Sequence, residues 1–170
     1  MDTIKAIRER RSIRKYKPDE VSDEDLETIL QSGRWAPSAS NKQPWHFIVI
    51  REEGMRKKLA DIHAYGRFMR ESPIVIVVLG DPVKHPRYYL ADAHQAVQNM
   101  LLTAHSLGLA TCWMGVRDTD YEPQFREALD IPEKLRVVCS VSLGYGDQER
   151  QSTRFPLEDM TSWEKFGGKR

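Results

Sequence analysis

Two short segments of this chain carry side chains suited to binding a polar ligand, and the first is basic. In Arg10-Arg11-Ser12-Ile13-Arg14, three arginines and one hydroxyl fall within five residues. Arginine binds a phosphate monoester through forked, charge-assisted hydrogen bonds, and serine can add a further one. The segment is therefore a candidate phosphate site. The alternative is that these cations only complement the dipole of a helix that ends there, which is the commoner role of an isolated basic cluster.

The second segment is a polar loop bounded by prolines, Pro37-Ser38-Ala39-Ser40-Asn41-Lys42-Gln43-Pro44-Trp45. Its hydroxyl and amide groups supply many hydrogen-bond donors and acceptors over a short span, and the prolines stiffen it. Such a loop suits a flat, polar ligand such as a heterocycle. The alternative is ordinary turn chemistry, because Asn41 can also bond to its own backbone.

A third segment, Gly108-Leu109-Ala110-Thr111-Cys112-Trp113-Met114-Gly115, predicts an apolar strand that ends at a glycine. A backbone N–H at a glycine can approach a ligand closely, although a core strand followed by a turn has the same pattern. The sequence lacks a catalytic Ser-His-Asp order, an H-E-x-x-H motif and a close carboxylate pair. Hydrolytic catalysis is therefore disfavoured. Glycine-rich phosphate loops are missing too, so any phosphate must be held by side chains.

Helices and strands that interleave along the chain must position these segments. The basic cluster lies at the end of the first predicted helix, and the polar loop follows the second. The β-branched run from Ile74 to Leu79 predicts a central strand covered on both faces. The pattern indicates an α/β or α+β fold with four or five strands. Helices are predicted near residues 3–10, 22–36, 52–65, 89–107 and 121–129, and strands near 45–50, 74–79, 109–115 and 135–143.

Composition limits the class of protein. The chain has 170 residues and a formal net charge of +1, which indicates one domain over residues 1–170 and no broad surface for nucleic acid. We expect a cytoplasmic protein without a membrane segment, since neither a signal peptide nor a long apolar run is evident. Cys112 and Cys139 are predicted to be buried free thiols. His94 and His105 lack further ligands at suitable spacing, so no metal site is expected.

The tail from Asp147 to Arg170 is polar apart from a few large side chains. These side chains are candidate anchors for the tail. They are Phe155, Pro156, Leu157, Trp163 and Phe166.

Taken together, the segments resemble the nitroreductase family of flavin mononucleotide (FMN) oxidoreductases. The matching features are the basic cluster, the polar loop continued through His46-Phe47, the long alanine-containing helix, Gly108 to Gly115, and Arg154-Phe155-Pro156-Leu157. Their order and spacing are more specific than any single motif, and they cover most of the chain. The resemblance implies a three-layer α+β fold with a central, mainly antiparallel sheet of four to five strands. It also implies a homodimer with FMN at the interface.

The resemblance further implies roles for individual residues. Arg10 and Ser12 would face the phosphate and ribityl chain of FMN, and Arg14 the pyrimidine edge of its ring. Asn41 would lie near the ring or the substrate, on a loop contributed by the partner chain. Backbone N–H groups near Gly115 would approach flavin N5 and O4. The implied FMN-binding set is Arg10, Arg11, Ser12, Arg14, Pro37, Ser38, Ala39, Ser40, Asn41, Gln43, Trp113, Met114, Gly115 and Arg154.

The implied chemistry belongs to the cofactor. NADH or NADPH would deliver hydride to flavin N5, and a small electron acceptor such as a nitroaromatic or a quinone would then be reduced in a ping-pong scheme. Two alternatives stay open. One is a flavin carrier or redox sensor without turnover, and the other is a branch of the family with reductive dehalogenase or flavin-consuming chemistry.

The sequence also departs from the family pattern. Ser152 stands where many relatives carry a lysine, two residues before the last arginine of the set. The chain lacks much of the insertion that covers the active site of longer relatives. Arg67 is a candidate for a lysine that approaches the flavin pyrimidine in some relatives, and the alternative is a solvated surface arginine.

Overall fold

The computed structural model describes residues 2–170, and its centre is a four-stranded sheet. The strands are β1 (Trp45–Ile50), β2 (Ile74–Gly80), β3 (Ala110–Gly115) and β4 (Arg136–Gly144). The helices are α1 (Thr3–Glu9), α2 (Asp23–Arg34), α3 (Glu53–Ile62), α4 (Tyr89–Ser106) and α5 (Glu122–Ala128). Within the described residues, every helix and strand predicted from the sequence is present near its predicted bounds.

The strand order is β1-β2-β4-β3, and every neighbouring pair is antiparallel. The fold is therefore α+β rather than α/β. β1 and β3 form the two edges of the sheet. All seven residues of β2 are buried, as the continuous apolar run predicts.

Helices cover both faces of the sheet, which gives three layers. Successive side chains of a strand point to opposite faces. Accordingly, Ile76 packs in one core cluster with α2 and α4, whereas Val77 packs in a second cluster with α3 and α5. α2 lies close to α4 because Gly33 has no side chain. A Cβ there would lie 2.8 Å from the Met100 sulfur.

Side-chain caps begin the first two helices. Asp2 caps α1 by accepting a hydrogen bond from the Ile4 N–H at 3.2 Å, and Ser22 caps α2 by accepting one from the Asp25 N–H at 3.0 Å. Side-chain oxygens at these positions satisfy N–H groups that have no partner inside the helix. Both cysteines are buried and free, as predicted.

Every residue of the tail after Gln148 except Gly168 is exposed. Its expected apolar anchors contact little of their own chain: Phe155 is 81% exposed, Leu157 72% and Phe166 101%. Trp163 contacts the tail's own Arg170, whose guanidinium lies 5.1 Å from the ring centroid. Phe155, Leu157 and Phe166 therefore do not anchor the tail to the rest of their own chain. Across residues 2–170, no helix combines the length and the apolar composition needed to cross a membrane.

Candidate ligand-binding site

The basic cluster lies along the free edge of β3. Arg10 is the C-terminal cap of α1, and its N–H donates to the Ala6 carbonyl. The chain then runs beside β3, where Ser12 forms a parallel bridge with Thr111 and the Ile13 N–H donates to the Thr111 carbonyl at 2.9 Å. The cluster therefore joins the N-terminal segment to the edge of the sheet.

Cations crowd together at this edge without carboxylate partners. Burial, and then the charges of Arg11 and Arg154, lower the pKa of Arg10. Among residues 2–170, none of the ion pairs involves Arg10, Arg11, Arg14 or Arg154. Like charges held together are unfavourable unless an anion neutralises them. The arrangement fits a bound phosphate group.

Arg11 has a different environment from Arg10. Its Nη1 donates to the carbonyls of Arg8 at 2.6 Å and of Arg10 at 2.8 Å, at the C-terminal end of α1. A cation there complements the helix dipole. The Nη1 contacts of Arg11 therefore match the alternative role of the basic cluster, in which the cations complement the dipole of α1.

Arg154 reaches this edge from the tail. Its Nη1 donates to the Ser152 hydroxyl at 2.5 Å and to the Thr153 carbonyl at 2.7 Å. Ser152 therefore orients Arg154. A cleft of about 650 Å³ lies between α1, the end of α4 and the start of the tail, and Arg10, Arg11 and Arg150 line it with Glu9 and Glu149.

Arg14 lies further along the same edge. Its N–H donates to Gln148 Oε1 at 3.2 Å, and its guanidinium lies 5.8 Å from the centroid of the Phe68 ring. Phe68 belongs to a short 3-10 segment, Arg67–Arg70. Arg67 is exposed, and it is the neighbouring Phe68 that contacts Arg14.

The end of β3 presents backbone N–H groups to the free edge. In an antiparallel pair, alternate residues point their polar groups toward and away from the partner strand. The Val116 N–H donates to the Val138 carbonyl of β4 at 3.3 Å. By this alternation, the N–H groups of Trp113 and Gly115 point away from β4. Trp113 is 42% exposed, whereas the Met114 side chain is buried in the core, so Met114 can offer only its backbone to a ligand.

Two side chains hold the carbonyl of Gly115. His63 Nε2 lies 3.1 Å from this oxygen, and the Tyr121 hydroxyl donates to it at 3.2 Å. Neither residue is among those predicted from the sequence. No local pattern indicates them, because His63 follows a helix in a polar turn and Tyr121 precedes another helix.

The polar loop is tightly folded before β1. Ser40, Asn41 and Gln43 have φ angles of 51°, 54° and 47°, in the left-handed region that residues other than glycine seldom adopt. The Ser38 hydroxyl accepts a hydrogen bond from the Gln43 N–H at 3.0 Å. Such conformations persist only where the surroundings hold them, and they cluster at ligand sites.

Asp92 anchors this loop to α4. Its two carboxylate oxygens lie 3.2 and 3.3 Å from the Ala39 N–H, and the side chain is buried. Asp92 is not among the residues predicted from the sequence, although the sequence carries a signal for it. Asp92 is a charged residue on the otherwise apolar stripe that includes Tyr89, Ala93 and Ala96.

The predicted site residues form two groups within one chain. The loop of residues 37–44 precedes β1, whereas the other group lies along β3, at the opposite edge of the sheet. Three strand spacings separate these edges, which is about 14 Å. Among residues 2–170, no hydrogen bond or ion pair joins the groups. The group at the β3 edge consists of Arg10, Arg11, Ser12, Arg14, Trp113, Met114, Gly115 and Arg154.

Comparison with known proteins identifies relatives over most of the chain. A family model described as "Nitroreductase family" matches residues 7–65 and 62–145. An Archaeoglobus fulgidus protein, provisionally named NADH dehydrogenase/NAD(P)H nitroreductase, is 41% identical over 153 residues, which cover 88% of each chain.

Solved structures show the same fold. A provisionally named nitroreductase from Desulfovibrio desulfuricans, solved in complex with FMN, is 35% identical with a TM-score of 0.85, and the match covers 98% of each chain. The NADPH:FMN oxidoreductase of Vibrio harveyi, solved with NAD⁺, is 26% identical with a TM-score of 0.88. That match covers 99% of this chain and 79% of the Vibrio harveyi chain.

Proposed function

Because the chain belongs to the nitroreductase family, we propose that it is an FMN-dependent oxidoreductase that uses NADH or NADPH to reduce nitroaromatics, quinones or related acceptors. The observation that carries the proposal is the basic cluster, which makes no ion pair among residues 2–170, beside the β3 N–H groups that point away from β4. A phosphate ester attached to a flat polar ring complements both features. The FMN in the Desulfovibrio desulfuricans relative and the name of the Vibrio harveyi relative support this ligand.

The residues at the β3 edge can hold the two ends of FMN. Arg10 and Arg154 supply charge-assisted hydrogen bonds for the phosphate, and Ser12 a hydroxyl for the ribityl chain. Arg11 adds positive potential while it caps α1. The free N–H groups of Trp113 and Gly115 can donate to acceptor atoms on the ring edge.

When bound, FMN supplies a two-electron carrier that accepts hydride at N5 and reduces a second substrate afterwards. The protein orients this carrier and tunes its charge. Arg14 places a cation near the pyrimidine edge, where it stabilises the negative charge of reduced flavin. Arg14 keeps its guanidinium beside the Phe68 ring, in a defined position.

We further propose that the complete site needs a second copy of the chain. The polar loop and the β3 edge lie at opposite edges of one sheet, so a loop from the partner chain can complete the site. That loop would contribute Pro37, Ser38, Ala39, Ser40 and Gln43, with Asn41 near the ring or the substrate.

The tail supports a homodimer as well. Phe155, Leu157 and Phe166 are exposed within their own chain, and so are Ile4 and Ile7 on α1. Burying each large apolar side chain against a partner stabilises the assembly by about 1.5–3 kcal/mol. A tail that wraps around a second copy would bury these groups and keep Arg154 near Arg10.

An absorbance spectrum of the purified protein mixed with FMN tests the cofactor. Anaerobic addition of NADH or NADPH then tests turnover, since an enzyme should bleach the flavin band rapidly, and a quinone should restore it. A bound flavin that neither nicotinamide bleaches would indicate a carrier or sensor. Lack of FMN binding would refute the proposed function, and product analysis would detect dehalogenase or flavin-consuming chemistry.

A further inference from the structure

We propose that His63 is a positioning residue that, together with Tyr121, fixes the Gly115 carbonyl and thereby aims the N–H groups of β3 at the flavin ring. The inference rests on the proposed function, because it assumes that FMN binds at this edge. His63 and Tyr121 themselves need not touch FMN. They act through the backbone of Gly115.

The contacts converge on one oxygen from two separate elements. His63 is the C-terminal cap of α3, and its Nε2 lies 3.1 Å from the Gly115 carbonyl oxygen. The Tyr121 hydroxyl, just before α5, donates to the same oxygen at 3.2 Å. A carbonyl has two lone pairs, so these two donors satisfy it fully.

The tautomer of His63 follows from its other neighbour. The Tyr65 N–H lies 3.1 Å from His63 Nδ1 and can only donate, so Nδ1 must accept. In a neutral imidazole the proton is then on Nε2, which donates to Gly115. An imidazolium would place a second donor against the Tyr65 N–H. The neutral form therefore matches both partners, and burial favours it by lowering the pKa of His63, although the bond to Gly115 opposes this shift.

Close packing holds the imidazole in one position. Its ring centroid lies 4.5 Å from that of Tyr121 and 6.3 Å from that of Phe125. The turn approaches so closely that a Cβ on Gly66 would lie 2.8 Å from His63 Cβ. The side chain is only 4% exposed. It is therefore preorganised before any ligand binds.

Gly115 needs such an anchor because of its place in the sheet. It ends an edge strand, its polar groups point away from β4, and glycine has the freest backbone of any residue. With its carbonyl held by two donors, the edge presents N–H groups to the ligand rather than an unpaired carbonyl oxygen. N–H donors stabilise the electron-rich reduced ring more than the oxidised one.

The test measures the midpoint potential of bound FMN in full-length variants. We expect His63→Leu and Tyr121→Phe each to lower the ratio of the affinity for reduced FMN to the affinity for oxidised FMN, by up to tenfold. A tenfold change in this ratio lowers the midpoint potential by about 30 mV, because the couple transfers two electrons. His63→Gln should restore most of the potential, since an amide both donates and accepts. In the flavin-free protein, amide hydrogen exchange at Val116, whose N–H donates to the Val138 carbonyl, should be faster in His63→Leu than in the wild type.

His85→Leu is the matched control. His85 also accepts a hydrogen bond at Nδ1, from the Tyr88 N–H at 3.2 Å, but it lies in the turn after β2, away from β3. The His85→Leu variant should leave the midpoint potential of bound FMN unchanged.

If His63→Leu fails to fold, the potential of Tyr121→Phe tests the inference, because that substitution removes only a hydroxyl. Unchanged potentials in variants that retain FMN, or no recovery in His63→Gln, would overturn this inference alone. A wild-type protein that binds no FMN would overturn the proposed function and this inference together.

Discussion

Arg10 and Arg11 are adjacent in the sequence, yet their guanidiniums have different surroundings. Arg11 donates to carbonyls at the end of α1, whereas like charges from Arg11 and Arg154 surround Arg10. A pattern of residue types cannot separate these roles, because both arginines follow the same helix. We therefore propose that Arg10, rather than Arg11, contacts the phosphate.

We predict that Arg10→Ala weakens FMN binding about 10- to 150-fold, because a charge-assisted hydrogen bond contributes about 1.5–3 kcal/mol. Fluorescence titration of the flavin-free protein measures the dissociation constant. Arg87→Ala serves as the control, since Arg87 is exposed and stacks on Tyr88 before the start of α4, whereas Arg10 lies by the end of that helix. Equal affinities of the wild type and Arg10→Ala would remove Arg10 from the phosphate site.

At the scale of elements, a buried carboxylate organises the segment between β3 and α5. Glu122 accepts hydrogen bonds from Arg136 at 2.7 and 2.8 Å and from the Asp118 N–H at 2.8 Å. Burial by itself raises the pKa of Glu122, but the bonds from Arg136 and Asp118 lower it more, so the pKa lies below its usual range. This network fixes the segment that carries Tyr121.

We predict that Glu122→Gln lowers the free energy of unfolding by about 1.5–3 kcal/mol at neutral pH. The folded-state pKa is depressed, so the stabilisation is complete above the unfolded-state pKa of about 4.3 and is lost as pH falls through the folded-state value. Urea unfolding should therefore show a difference between variant and wild type that shrinks in acid. Glu127 is exposed on the same helix, so Glu127→Gln should have the same free energy of unfolding as the wild type at neutral and at acidic pH. A difference that stays constant with pH would contradict this account.

The contact between Asp92 and Ala39 fixes the polar loop to the start of α4. We predict that Asp92→Ala speeds amide hydrogen exchange across residues 39–43 and weakens FMN retention, because the strained loop loses its buried acceptor. Exchange in β2 should not change. Asp120→Ala alters an exposed aspartate before α5 and should leave loop exchange as in the wild type. Unchanged loop exchange in Asp92→Ala would show that other contacts hold the loop.

At the scale of the whole molecule, strand order separates the two groups of candidate site residues. β1 and β3 are opposite edges, so we propose that each complete site combines the β3 edge of one protomer with the loop of its partner. A closed two-fold dimer would contain two such sites.

Mixing two inactive variants tests this arrangement. Arg10→Glu places a negative charge at the phosphate end, and Asn41→Glu places one on the loop, so neither homodimer should bind FMN well. In an equimolar mixture that exchanges subunits, about half of the dimers are mixed and each regains one intact site. We predict recovery of about a quarter of the wild-type FMN binding, measured by bound flavin per chain. Lack of recovery, despite confirmed subunit exchange, would place both groups in one chain's site.

Much of the fold could be predicted from local sequence. The apolar run of β2 and the Ser22 cap of α2 identify their elements, because a few consecutive residues determine helical or extended periodicity and the first hydrogen bonds. The basic cluster and the polar loop were also evident as residue types, and with them the family resemblance.

Only the tertiary structure decided which residues meet. The bonds from His63 to Gly115 and from Ala39 to Asp92 join residues 52 and 53 positions apart. The exposure of the tail's apolar side chains likewise depends on where the folded body lies. Local patterns cannot determine such contacts, because strand order and the packing of the whole core set them. The sequence thus determined the chemistry available to this protein, and the fold decided where that chemistry converges.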